Sequence, residues 1–307
     1  MLALLCGGQG RVSAEMFDLA AALPEADAIF KTAEELLGSD PRKLVKEAEA
    51  DILFANRANQ ILSVTAALAN YACIMAALPS RMAVTGYSVG EMAAWSIAGI
   101  WSPQTALRLT ALRAQAMDAA DGDQGQLGYI RGPDRAAVET FATRHHCTIA
   151  IVNPGNLHVV GGLRADVTAL CQAAEQAGAQ RAALLDVRIA SHTPRLAAAV
   201  PVFHAALRDA GSIKPRVGCI LLSGGDGSRI FPVAKSADRL AAQIADPIDW
   251  AATLEALVEL GVDHVLDLGP GHALADMMHG AYPDIRTYAV DGFRTADGLR
   301  HWLGTIR

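Results

Sequence analysis

Apolar positions along this chain change period several times, and each change marks an element. Leu2-Ala3-Leu4-Leu5-Cys6 is a short unbroken apolar run that ends on glycines, the pattern of a buried strand. Helical spacing follows over 14–23, 26–37, 41–49 and 61–78. Residues 81–85 read as another short buried strand, and 91–100 as a helix of good formers. A further helix is predicted from 103 to about 120, with Ser102 as its N-cap and Pro103 at its first position. Asp121-Gly122-Asp123-Gln124-Gly125 is a turn-rich break, after which the pattern changes. Strand 127–131, helix 133–145, strands 148–153 and 157–161, helix 165–177 and strand 182–187 follow in order. That βαββαβ succession is the ferredoxin-like arrangement. Helix 194–209, strand 218–223, helix 250–260, strand 264–267 and helix 296–303 complete the pattern. The expectation is an α/β fold whose large domain, residues 1–122 and 189–307, carries a mostly parallel sheet covered on both faces. A small ferredoxin-like domain, 123–188, is inserted into it.

Composition narrows the class. The chain has 307 residues, of which 52% are hydrophobic, so a disordered or fibrous protein is excluded. A net charge of -6 argues against nucleic acid as a partner. Cys6, Cys73, Cys147, Cys171 and Cys219 are scattered, odd in number and form no C-x-x-C pair, which predicts reduced, buried thiols in a cytoplasmic protein. The apolar start lacks a basic leader and meets glycines at once, so it reads as a first strand rather than a signal peptide. The longest apolar stretch, 61–78, carries Ser63, Thr65 and Asn70; a buried helix explains it better than a membrane span.

Gly86-Tyr87-Ser88-Val89-Gly90-Glu91 fits the G-x-S-x-G elbow, a sharp strand-to-helix turn that exposes a serine hydroxyl. Such a serine needs a base to take its proton. Of nine histidines, His192 in Ala190-Ser191-His192-Thr193-Pro194 stands at the re-entry from the inserted domain, where clefts form. On position alone it reads equally as a base or as a helix-capping residue. An oxyanion would need fixed donors. The N–H of Val89 follows the serine, and Gly7-Gly8-Gln9-Gly10 follows the first strand, where a second donor belongs; a plain tight turn or a phosphate loop are its other readings. Gly224-Gly225-Asp226-Gly227-Ser228 reads as a simple turn. Arg113 lies among Ala111, Leu112, Ala114 and Met117; it reads either as a surface arginine paired with Asp118 or as a buried fork awaiting a carboxylate. His145-His146 beside Cys147 are adjacent residues at a helix end and do not face one site, so neither a metal nor a cofactor is expected.

Taken together these segments resemble the malonyl-CoA:acyl carrier protein acyltransferases over nearly the whole chain. That family's opening F-P-G-Q-G is similar to Cys6-Gly7-Gly8-Gln9-Gly10, and its Q-P-A-L-like segment to Asn59-Gln60-Ile61-Leu62. Its G-H-S-x-G-E resembles 86–91, its R-x-x-x-M matches Arg113 to Met117, and its S-H matches Ser191-His192. The late N-P-x-x-W and G-P-G resemble Asp246-Pro247-Ile248-Asp249-Trp250 and Gly269-Pro270-Gly271. The resemblance implies a hydrolase-like large domain with a ferredoxin-like insertion. It implies Ser88 as nucleophile, His192 as base, and the N–H groups of Gln9 and Val89 as oxyanion donors. Arg113 would clamp the malonyl carboxylate, with Gln60 and Met117 supporting the acyl pocket. A main-chain carbonyl at Ile248 or Asp249 would orient the histidine. Malonyl-CoA and an acyl carrier protein would be the partners, with Arg57, Arg188, Arg195 and Arg216 as candidate basic contacts. Cys6-Gly7 departs from the Phe-Pro of the opening motif, and Tyr87 from the histidine before the serine. Ile189-Ala190-Ser191-His192 partly resembles the Y-A-S-H of methylmalonyl-selective enzymes. G-Y-S-V-G-E with A-S-H-T-P and P-I-D-W is most similar to the malonate decarboxylase epsilon subunits, which would add that enzyme's other subunits as partners. A serine esterase or thioesterase and a non-catalytic carrier-binding scaffold are the rival readings.

Overall fold

The computed structural model describes residues 1–211 and 213–306. Among them run ten strands: β1 (Leu2–Cys6), β2 (Met82–Gly86), β3 (Gly125–Arg131), β4 (Thr148–Asn153), β5 (Leu157–Leu163), β6 (Arg181–Leu184), β7 (Cys219–Leu221), β8 (Ile248–Asp249), β9 (His264–Asp267) and β10 (Arg286–Ala289). They form two five-stranded sheets.

The first sheet has the order β10-β9-β1-β2-β7, and every pairing in it is parallel. β1 and β2 are buried along their whole length, as strands covered on both faces must be, and this is why they read as unbroken apolar runs. The register sets Cys6 beside Gly86 and Leu5 beside Asp267, so the carboxyl ends of three strands share one edge. In open parallel sheets that edge is where ligands bind. The helix Asn56–Ile74 is apolar and long enough to span a bilayer, yet most of it is buried in this fold, as its interspersed serine, threonine and asparagine suggest.

The second sheet has the order β6-β3-β5-β4-β8. β3 to β6 are antiparallel neighbours, with the helices Arg135–Arg144 and Arg164–Gln176 packed on one face over Ile130, Val138, Val160 and Leu170. This is the ferredoxin-like unit. Its opposite face sends Leu127, Ile151 and Val159 into the main core, so strand alternation joins two cores through one sheet. β8 comes from the far end of the chain and adds parallel to β4, pairing Ile151 with Ile248 and Val152 with Asp249.

Three expectations about elements change. Residues 14–22 form successive turns rather than a helix, closed by i to i+3 bonds such as Ser13 to Met16 and Phe17 to Ala20. Met16, Phe17 and Ala20 nevertheless reach the core, which explains the helical period without the helix. The 194–209 helix is split into a 3-10 turn, Pro194–Leu196, and a helix, Ala199–Ala210. The helices Val233–Ala242 and Ala273–Ala281 and the strand β10 were not legible; the first is short and charged, and the second follows Gly269-Pro270-Gly271 directly.

Candidate active site

Ser88 lies between the end of β2 and the start of the helix Gly90–Ile97. Its φ of +54° is in the left-handed region that side-chain-bearing residues avoid, and such strain gathers at functional positions. Glycines on either side permit the corner. A Cβ on Gly86 would lie 2.2 Å from the Glu91 nitrogen, and one on Gly90 would lie 2.1 Å from the Cys6 carbonyl oxygen. His192, at φ +62°, is the second strained residue of the site. The two meet: Ser88 Oγ and His192 Nε2 are 2.7 Å apart. Ser88 is 8% exposed and His192 1%, so both are buried, and both line one cavity. The N–H groups of Gln9 and Val89 meet no acceptor among the described residues. Gln9 lines the cavity beside Ser88.

The partner of His192 Nδ1 corrects the sequence reading. It is the carbonyl oxygen of Gln243, at 2.5 Å, and neither Ile248 nor Asp249. Gln243 is the residue that ends the helix Val233–Ala242, where carbonyls lack helical partners and are free to accept. Ile248 and Asp249 are committed elsewhere. They form β8, the Asp249 N–H donates to the Gly225 carbonyl at 2.7 Å, and its side chain accepts from Ala252 N–H at 2.9 Å to cap the next helix. No carboxylate therefore backs the histidine. Burial first, and then the Arg113 cation, push the His192 pKa down to about 3, opposed by the bond to Gln243. The imidazole is therefore neutral at neutral pH, and a weak base.

Arg113 is 1% exposed, which removes the surface reading. One Nη donates to Gln60 Oε1 at 2.7 Å, and Nη2 is buried with no partner. Asp118, the alternative partner, instead accepts from Asn56 at 2.7 Å. Asn56 Oδ1 accepts from Gln60 Nε2, also at 2.7 Å, and the same amide touches the Met117 sulfur at 3.4 Å. A continuous polar chain thus runs from the surface to the guanidinium and fixes its orientation. Burial lowers the Arg113 pKa to about 10, which still leaves it cationic at neutral pH.

A cavity of about 810 Å³ opens over the carboxyl ends of the first sheet and against the second. Ser88, His192, Ser191 and Gln9 line it, whereas Gln60, Arg113 and Met117 do not. The Arg113 cation is close enough to His192 to act on its charge, so the guanidinium lies behind the Ser88–His192 pair rather than in the open cavity. Three further lining residues escaped the sequence reading, and a fourth, Tyr87, figures there only as a departure from the family motif. Tyr87 packs edge-on against Trp250, and Asn153, from β4, is 3% exposed with neither amide atom bonded. Arg131 and Arg181 line the cavity from paired positions on β3 and β6. The four arginines singled out from sequence are not in this lining: Arg57 binds the Leu36 carbonyl, Arg188 pairs with Asp51, Arg195 stands 3.8 Å from Asp121, and Arg216 binds the Tyr71 hydroxyl. Paired strands brought Arg131 and Arg181 together, and no local motif signals that.

The pattern of the acyl transferase domain matches residues 22–289. The chain belongs to this family. It is an acyltransferase, and Ser88, His192 and Arg113 all lie within the matched region. A malonyl CoA-acyl carrier protein transacylase of Haemophilus influenzae is 26% identical over 310 residues, covering 98% of both chains. An acyl-carrier-protein S-malonyltransferase of Burkholderia pseudomallei has the same fold, with a TM-score of 0.89 and 27% identity over 98% of this chain and 99% of its own. A malonyl-transacylase solved in complex with the acyl-carrier protein of a type II PKS superposes with a TM-score of 0.88, at 25% identity, over 98% of this chain and 99% of its own.

Proposed function

We propose that this acyltransferase moves a malonyl group from malonyl-CoA to the phosphopantetheine thiol of an acyl carrier protein. One observation carries the reading. A serine–histidine pair at 2.7 Å lies within electrostatic reach of a buried arginine whose Nη2 has no partner. A short acyl group ending in a carboxylate supplies what that guanidinium lacks. The names of the relatives support the same acyl donor and acceptor.

In the proposed sequence His192 Nε2 takes the Ser88 proton as Oγ attacks the thioester carbonyl. The N–H groups of Gln9 and Val89 hold the oxyanion. The C–S bond breaks, CoA leaves as the thiol with the proton from His192, and malonyl-Ser88 remains. The carrier thiol then gives its proton to His192, attacks the ester, and Ser88 recovers its hydrogen. Both thiols end the same arm, so one cavity serves both half-reactions, with Arg131 and Arg181 offering positive charge to the arm's phosphate. The protein works in the cytoplasm, a placement that its five free, buried thiols support.

Within this activity, the carrier is the one that serves malonate decarboxylase, whose other subunits would then be partners. That finer assignment rests on Tyr87 before the serine and on the A-S-H-T-P and P-I-D-W segments. The transacylase names of the relatives support the general carrier-protein reading better.

Intact-mass spectrometry after mixing the protein with malonyl-CoA alone tests the chemistry. A malonyl adduct that is lost in Ser88→Ala is expected. Free CoA without an adduct would make the protein a hydrolase, and neither product would leave the scaffold reading.

A further inference from the structure

One buried acid of the site has no part in the chemistry above. Glu91 stands three residues after Ser88, in the first turn of the helix Gly90–Ile97, and is 1% exposed. An acid there complements the helix dipole equally well from the surface, so the dipole does not explain why this one is buried. Its contacts do. Oε2 accepts from the Gly224 N–H at 2.9 Å and from Gln243 Nε2 at 2.7 Å, and Oε1 accepts from Trp95 Nε1 at 3.2 Å. Gln243 is also the residue whose carbonyl holds His192 Nδ1, and the next carbonyl, of Ile244, accepts the His192 N–H at 2.8 Å. The two main-chain bonds that place the base thus come from one two-residue segment, and Glu91 pins the first side chain of that segment.

We infer that Glu91 is a positioning residue for His192: acting through Gln243, its carboxylate sets where the base stands relative to Ser88. This rests on the assignment of Ser88 and His192 as nucleophile and base. The ionised form does the positioning. Its three neighbours are all donors, and a protonated Glu91 needs an acceptor. Gln243 Oε1, buried and without a partner, is the acceptor at hand, and reaching it requires the amide to turn over and withdraw Nε2. Two charged groups act on Glu91: Arg113 from the helix Pro103–Asp121, and Asp226 from the turn after β7. β1 and β2 contain no charged residue, and the helix Asn56–Ile74 has only Arg57, bound to the Leu36 carbonyl. Burial raises the Glu91 pKa to about 7 against those three hydrogen bonds, whereas His192 sits at about 3. A loss of Ser88 reactivity on acidification through neutral pH therefore belongs to Glu91 and not to the base. Asp267, raised to about 7 across the cavity, would give a limb that survives changes at Glu91.

The test is the rate at which a small fluorophosphonate modifies Ser88 between about pH 5 and pH 9, a reaction that needs neither malonyl-CoA nor carrier. Glu91→Gln is expected to react roughly 10- to 100-fold more slowly at the alkaline end and to lose the limb near neutrality. Gln243→Leu keeps the carbonyl and removes the link, so it should slow the reaction and move the limb to higher pH, because the carboxylate loses a donor. A Glu91→Gln protein with the wild-type rate, or one slowed with its limb unmoved, overturns the inference. If that variant does not fold, an unmoved limb in Gln243→Leu overturns it equally. A wild-type Ser88 inert to the reagent would sink the nucleophile assignment itself, and the inference with it.

Discussion

Replacing Arg113 separates the acyl group from the rest of the substrate. The guanidinium is sealed, anchored by one bond to Gln60 at 2.7 Å, and has Nη2 free for an incoming carboxylate. A charge-assisted bond in such a place is worth about 3 kcal/mol, so Arg113→Met should lower kcat/KM for malonyl-CoA roughly 150-fold. Methionine keeps much of the volume, so packing is largely preserved and the loss reports the charge. Acetyl-CoA reverses the sign. With that donor the wild-type Nη2 stays buried and unpaired, a cost of about 1–3 kcal/mol that the variant no longer bears. Acetyl transfer should therefore hold steady or rise by up to about tenfold. The malonyl-to-acetyl preference then falls by roughly two to three orders of magnitude. Steady-state transfer to one carrier protein from each donor, with the Ser88 adduct read by mass, measures it. Equal fractional losses for the two donors would remove Arg113 from the acyl site and leave it a structural residue.

Two further outcomes follow from single contacts. Gly90→Ala should fail to fold or melt far below the parent, because its Cβ would sit 2.1 Å from the Cys6 carbonyl; Gly280→Ala, exposed on the helix Ala273–Ala281 with nothing within 4 Å, should keep both melting temperature and activity, and equal behaviour of the pair in thermal melts would refute the packing argument. In Arg113→Met the His192 pKa should rise from about 3 yet stay below the usual histidine value, because the second cause of its depression is gone and burial remains. The linked stability term has a definite sign. His192 stabilises the fold fully above the unfolded value near 6.5 and loses that contribution as pH falls toward 3, so the variant, with a less depressed imidazole, should lose less of it and finish losing it at a higher pH in urea titrations. An imidazole NMR titration that does not move would sink the Arg113–His192 coupling.

The legible part of the site is the part encoded in contiguous sequence. Gly86 to Glu91 could be read because a strand, a tight corner and a helix follow one another within a few residues, and each leaves a local mark. The inserted unit could be read from its element order, since antiparallel neighbours lie close in sequence. What escaped depends on chain separation. Gln243 contributes a carbonyl, which every residue has, so its sequence identity carries no signal for the contact with His192, 51 residues away. Glu91 reads as an ordinary first-turn acid until its partners, 133 and 152 residues on, are brought to it. Arg113 could be read both ways because its helix is buried on several sides, and an all-round burial pattern hides which face meets the site.

The electrostatics of the site explain why a carbonyl suffices behind His192. A carboxylate at Nδ1 would hold the base ready whatever lay in the pocket. Here the base is held weak by burial and by the Arg113 cation, and its main-chain partner only partly opposes them. On the proposed function, a malonyl carboxylate entering beside Nη2 would compensate that cation and remove one of the two causes. The malonyl group would thus strengthen the base at the moment it must take the Ser88 proton, while an acetyl group would leave it weak. Selectivity would then appear in the chemical step as well as in binding, because the interaction that recognises the substrate would also lower the barrier to proton transfer. Glu91 belongs to the same balance. It favours the Arg113 cation from one side and is held by Gln243 on the other, so one buried side chain touches both of the groups that act on His192 besides burial.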